Sequence, residues 1–147
     1  MLDVKLVRKR HKSYPEIFRA INKNFLPKAG VTVLAEVQRE CPRDLSDLAN
    51  SYHYKVHLLD SSVSIGTNKE QAPPVEYGTR PHSAPISALE PWARRHDIPV
   101  GAVWQSIKKK GTKAQPHLRP ALDKRRRFLV ALWADTYAKV FRILGAG

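Results

Sequence analysis

Tyr52-His53-Tyr54-Lys55-Val56-His57-Leu58-Leu59-Asp60-Ser61-Ser62-Val63-Ser64-Ile65 is the stretch that decides the fold class. Tyr52, Tyr54, Val56 and Leu58 alternate with His53, Lys55 and His57, a period of two that sets the apolar side chains on one face of a strand. Asp60-Ser61-Ser62 supplies turn chemistry, and Val63 and Ile65 then alternate with Ser62 and Ser64. The stretch therefore predicts an antiparallel hairpin. On both sides of it the apolar period lengthens to that of a helix. The elements expected are therefore a small antiparallel hairpin between helical segments.

Working outward, Pro15 and Glu16 suit the first turn of the leading helix, and Ile17, Ile21 and Phe25 mark one face of it. Beyond Pro27 the spacing resumes at Val33, Leu34 and Val37, which predicts one kinked helix or two short ones ending before Pro42. Asp44–Ser51 reads as a turn or a short helical piece. Residues 66–86 hold Gly66, Gly78 and four prolines, and are expected to be loop-rich with an edge strand near Val75–Thr79. Ile86, Leu89, Trp92 and Ala93 have helical spacing, with Pro91 placing the start of that helix near itself. Val100, Val103, Trp104 and Ile107 give a second short helix, closed by Lys108-Lys109-Lys110-Gly111. From Leu118 a long helix carries Leu122, Leu129, Leu132, Trp133, Val140 and Phe141 on one face and Lys124, Arg125, Arg126, Lys139 and Arg142 on the other. Trp92, Trp104 and Trp133 all fall on apolar faces and are expected in the core. The organisation expected is a basic arm over residues 1–13 followed by a single domain over 14–147.

Charge is the strongest compositional signal. The 147 residues carry a net +13, and residues 108–147 hold eleven Lys or Arg against Asp123 and Asp135 alone. The first twelve residues add Lys5, Arg8, Lys9, Arg10 and Lys12 against Asp3. Such a field favours a polyanion or an acidic protein face. The candidates for contact are Arg8, Lys9 and Arg10 in the arm, Lys108, Lys109 and Lys110 at a helix end, and Lys124, Arg125, Arg126 and Arg127 on the last helix. No recognition-helix motif or stacking motif accompanies them.

Chemistry beyond binding finds little support. The single cysteine, Cys41, makes an internal disulfide and a cysteine-based zinc cluster impossible. His53 and His57 share a strand face, but Asp60 and His82 stand at no metal-ligand spacing from them, so both read as solvent-facing. His82 and His117 lie in proline-rich loops with no catalytic partner set by spacing. The glycines are scattered, with no phosphate-loop or dinucleotide pattern. No cofactor, metal or enzymatic activity is expected, and no apolar run long enough for a membrane span is present.

Three blocks, in order, resemble the head–tail joining and tail-completion proteins of tailed bacteriophages, the lambda minor tail protein Z kind among them. The first is Cys41-Pro42-Arg43-Asp44-Leu45-Ser46-Asp47-Leu48-Ala49-Asn50-Ser51, where Pro42, Asp44, Leu48 and Ser51 match and Leu45-Ser46 replaces the usual Thr-Gly. The local turn is expected to differ there. The second is Val63-Ser64-Ile65-Gly66-Thr67 followed by Ala72-Pro73-Pro74-Val75-Glu76-Tyr77-Gly78-Thr79, with Gln71 where a tyrosine is usual. The third, Gly111–Leu122, contains Pro116-His117-Leu118-Arg119-Pro120-Ala121-Leu122, with His117 at an aromatic position.

The resemblance implies an α+β fold, a small antiparallel β-sheet packed against a long N-terminal helix and a long C-terminal helix with Ile86–Lys110 as a short helical insert, and a non-enzymatic structural subunit of a ring, hexameric in expectation, at the head–tail junction or the head-proximal tail end. The subunit would assemble in the bacterial host cytoplasm and end in the virion. Its partners would be further copies of itself, the neighbouring stopper or adaptor, the tail tube or terminator, and DNA passing through the channel. On this view Glu76, Tyr77, Gly78, Thr79, Arg80, Arg119 and Pro120 form the inter-subunit surface, with Glu76 paired to an arginine such as Arg80 or Arg119 or else capping a local turn. The basic groups would line the channel or dock an acidic ring. The alternative is a basic DNA-binding protein or a transient assembly factor.

Overall fold

The computed structural model describes residues 14–44 and 46–145. The arm expected over residues 1–13 lies outside them, Arg8, Lys9 and Arg10 included. The elements run α1 (Tyr14–Glu40), α2 (Asp47–Ser51), β1 (His53–His57), β2 (Ser62–Gly66), α3 (Ala72–Tyr77), α4 (Ile86–Arg95), α5 (Val100–Lys110) and α6 (Leu118–Gly145). This is the α+β architecture read from the sequence, with its hairpin, its two long helices and its helical insert. The described residues of Met1–Glu36, His53–Gly66 and Leu122–Gly147 form one compact unit, and Val37–Tyr52 with Thr67–Ala121 form another.

In the first unit, α1 is one helix that continues through Pro27. The proline removes one backbone donor, but Ile21, Leu26, Ala29 and Val33 are all buried on the same helix. Tertiary burial of a whole face outweighs one lost hydrogen bond. The hairpin pairs His53 with Gly66 through to His57 with Ser62. A two-stranded sheet is marginal alone, and α1 supports it at two points. Gly30 faces the ring of Tyr54 so closely that a β-carbon there would overlap the ring. Asn22, itself buried, donates from its side-chain amide to the Ser61 hydroxyl in the turn at 2.6 Å. On α6, Arg125 donates from Nε to the Glu36 carboxylate at 2.8 Å, and its terminal nitrogen lies 2.6 Å from the same oxygen. Glu36 is 1% exposed, so this arginine neutralises a buried charge.

In the second unit, two sequence expectations give way. The edge strand near Val75–Thr79 is instead the end of helix α3, in which Pro73 and Pro74 occupy the first turn. A missing N–H costs nothing there, so the prolines that suggested a loop suit a helix start. Helix α4 starts at Ile86, directly after extended Pro85, and holds Pro91 in its interior. Its partner α5 likewise follows an extended proline, Pro99, and ends at Gly111, whose positive φ of 74° closes it as the lysine run predicted. Within the stretch read as a turn or a short helical piece, Asp47–Ser51 form α2.

The expected tryptophan core does not form. Trp92 and Trp133 are 38% and 41% exposed, and Trp104 is half-buried. On α6 the buried positions are Ala121, Thr136 and Val140, while Leu122 and Phe141 of the expected apolar face are exposed. The helical period was right, but it does not distinguish a face covered within the chain from one covered by something else.

Candidate functional site

The second unit holds the first sequence block, the Ala72–Thr79 part of the second and Gly111–Ala121 of the third, and at its centre is one buried carboxylate. Glu76, 6% exposed, sits at the end of α3. One of its oxygens accepts the backbone N–H of His117 at 2.8 Å and that of Leu118 at 3.2 Å. Those are the first donors of α6, which has no preceding turn to satisfy them, and a carboxylate at a helix N-terminus also meets the positive end of the dipole. Pro120, lacking an N–H, leaves one fewer donor to satisfy.

The His117 ring completes the arrangement. Its Nδ1 lies 2.9 Å from the same Glu76 oxygen and 3.1 Å from the Gln115 carbonyl. Both neighbours are acceptors, so Nδ1 carries the ring proton. Nε2 is 2.8 Å from the Tyr52 hydroxyl, which donates to it when the ring is neutral. The Tyr52 and His117 rings meet edge to face, with centroids 5.5 Å apart. Burial pushes the Tyr52 phenol up to about 12, with Cys41, Glu76 and Tyr77 adding to the effect. Burial also raises the Cys41 thiol, reinforced by Glu76 and opposed by Arg43. A thiol held protonated is a poor nucleophile.

Around this centre the backbones are clasped. Gln115 N–H donates to the Val75 carbonyl at 2.8 Å, and Thr79 N–H to the Thr112 carbonyl at 3.1 Å. Thr112 N–H donates to the Thr79 hydroxyl at 3.0 Å. Gly78, with φ of 71°, has the Thr112 carbonyl where a β-carbon would stand, at 2.6 Å. Gly111 faces Thr79 as closely. Both glycines are thus required by conformation and by space. The first block joins through Ser51, whose hydroxyl lies 2.6 Å from that of Thr67. Asp44 meets Arg95, the last residue of α4, and His96 just after it, and the Arg95 guanidinium holds the Asp44 carboxyl below its usual range. Ser46, standing where the resembled pattern has glycine, takes a left-handed backbone at φ 61°.

The sequence-predicted residues therefore divide. Glu76 is turned inward, and its partners are His117 and the start of α6 rather than an arginine or its own turn. Gly78 and Thr79 belong to the clasp, and Pro120 to the capped helix turn. Tyr77 is 78% exposed, and Arg80 and Arg119 are also exposed, so these three remain available to a partner. Among the basic candidates, Arg125 is engaged with Glu36. Lys108, Lys109, Lys110, Lys124, Arg126 and Arg127 are exposed, Lys108 lying over the Trp104 ring at 4.6 Å. Sequence reasoning missed His117 and Tyr52 as buried partners. The one available signal was His117 replacing an aromatic residue, a position that asks for a buried ring. Among the described residues no group of acidic, histidine or cysteine side chains is arranged to hold a metal, and no helix is long and apolar enough to cross a membrane.

Comparison with curated proteins and with solved structures returned no match. Residues 5–78 match the model of the family described as "Bacteriophage HK97-gp10, putative tail-component". The matched span takes in the first block and the second as far as Gly78, so Glu76 lies within it and its partner His117 beyond it. It supports the phage-tail part of the resemblance and does not reach the narrower lambda Z kind. Covering 74 of the 147 residues, it shows that the chain belongs to the HK97-gp10-like family of phage tail components.

Proposed function

We propose that the chain is a non-catalytic subunit of a ring of identical copies at the head-proximal end of the tail, joining the tail to the proteins of the neck. The family match over residues 5–78 carries this reading. Two features of the chain support it. Large apolar side chains on α1, α3, α4 and α6 stay exposed, among them Phe18, Val31, Tyr77, Trp92, Phe128 and Trp133. A chain that leaves so much apolar surface uncovered is built to be covered in an assembly. The clasp around Glu76 also fixes the backbone that presents Tyr77, so an exposed aromatic is held at a set angle, which favours a preorganised contact. In a closed ring each subunit presents two different complementary faces, and Tyr77 with Arg80 and Arg119 forms part of one of them.

The narrower placement with the lambda Z kind, and six copies per ring, belong to the same proposal. They rest on the third block, Pro116–Leu122, which lies beyond the matched residues. The exposed lysines and arginines serve contact with acidic neck proteins in this reading. Labelled-antibody electron microscopy of particles tests it. Label at the head–tail junction is the expected result, and label along the tail shaft moves the chain away from the neck. Absence of label from intact particles transfers the role to an assembly factor that departs, or to DNA binding before packaging.

A further inference from the structure

Helix α6 carries more apolar surface than its unit covers. Val130, Trp133, Tyr137 and Phe141 are 65%, 41%, 40% and 47% exposed. Their spacing of three, four and four sets them in one stripe along the helix, which Leu122, 48% exposed, extends toward the N-terminus. The Trp133 and Tyr137 rings stack with centroids 5.5 Å apart and the Tyr137 and Phe141 rings at 5.8 Å, within 20° and 14° of parallel. Each ring is thereby held by the next, so little side-chain freedom is left to lose on docking. From Leu122 to Phe141 the stripe is about 28 Å long at 1.5 Å per residue. A narrow apolar stripe of roughly five helical turns is complementary to the apolar face of another helix.

Charge selects the kind of helix. Arg126 stands in the stripe itself, midway between Leu122 and Val130, and Arg127 lies on its flank with Asp123 the one acid near them on the helix. Further along, Asp135 is paired with Lys139 at 2.8 Å. A second copy of this chain, with its own net +13, would set like charge against like along this half of the stripe. We propose that the α6 stripe docks an acidic amphipathic helix from a neighbouring protein of the assembly, its apolar positions on Val130–Phe141 and its carboxylates on Arg126 and Arg127. The inference stands on α6 and does not require the ring. Failure of the ring reading leaves this binding in place, and loss of this binding leaves ring formation open.

The test is fluorescence anisotropy of a labelled designed helical peptide titrated with the full chain. One probe has leucine and isoleucine on one stripe with glutamates flanking it, and the control carries lysines in place of the glutamates. The glutamate peptide is expected to bind at least about tenfold tighter than the lysine peptide and to weaken as salt screens the arginines. Trp133→Glu and Arg126→Glu are each expected to weaken it by about tenfold or more. Val130→Glu, at the most exposed position of the stripe, gives the same answer should Trp133→Glu not fold. Equal binding of the two peptides, or undiminished binding by the variants, overturns the proposal. So does sedimentation showing self-association of the wild-type chain that Val130→Glu abolishes, because a second copy would then be the occupant.

Discussion

Glu76 shows how much one side chain decides. Its carboxylate satisfies two backbone donors and a ring nitrogen in a place from which water is excluded. Glu76→Ala leaves those donors buried and unpaired, and a loss of about 3 kcal/mol is expected, read as a lower urea midpoint. Glu76→Gln keeps an acceptor oxygen and is expected to lose about half as much. Tyr52 gives a pH signature. Its phenol ionises at about 12 in the folded chain against an ordinary 10.0, so the native state holds the proton longer than the unfolded state. The stability this contributes is complete below pH 10.0 and is lost as pH rises toward about 12. Tyr52→Phe is expected to flatten that part of the urea-midpoint profile, with Cys41 leaving a smaller residual slope. Ser46, at φ 61°, pays for a backbone that suits glycine. Ser46→Gly is expected to raise stability by roughly 0.5–1 kcal/mol in the same assay, and no gain would show that the backbone there is not strained.

At the scale of elements, the sequence conveyed periods well and coverage poorly. The hairpin was legible because Tyr54, Val56, Val63 and Ile65 alternate with polar residues across a turn, a pattern that no helix accommodates. The long helices were legible from the same kind of evidence. Helix α3 was not, because Pro73 and Pro74 signal loop or helix start equally and only the chain around them decides. Pro91 misled in the same way about where α4 begins. The Glu76–His117 contact spans 41 residues, and no local pattern can announce a cap supplied from that distance. For the same reason Arg125 looked like one of four equivalent cations on α6. Glu36 sets it apart, being buried and 89 residues away. Arg125→Ala takes the guanidinium away from that buried carboxylate and is expected to cost about 3 kcal/mol of stability. Paired Arg126→Glu and Arg127→Glu changes, on exposed side chains, are expected to leave the unfolding midpoint nearly unchanged while weakening docking. An unfolding midpoint that falls equally in both variants would show that Arg126 and Arg127 are also structural.

At the scale of the whole chain, charge and apolar exposure go together. Among the described residues, large side chains that are buried are few, while Leu58, Leu59, Tyr77, Ile86, Ile98 and several apolar residues of α6 remain open to solvent. Together with a net +13, that surface supports the proposed place in an assembly, where bound neighbours would add to the chain's stability. Membership of a phage tail-component family places those neighbours in the virion. In vitro complementation tests the claim that the chain joins tails to heads. Extracts of a phage carrying a nonsense mutation in this gene should contain filled heads and complete tails that stay apart, and the purified chain should restore infectious particles in proportion to its concentration. Joined, infectious particles formed without the chain would contradict it.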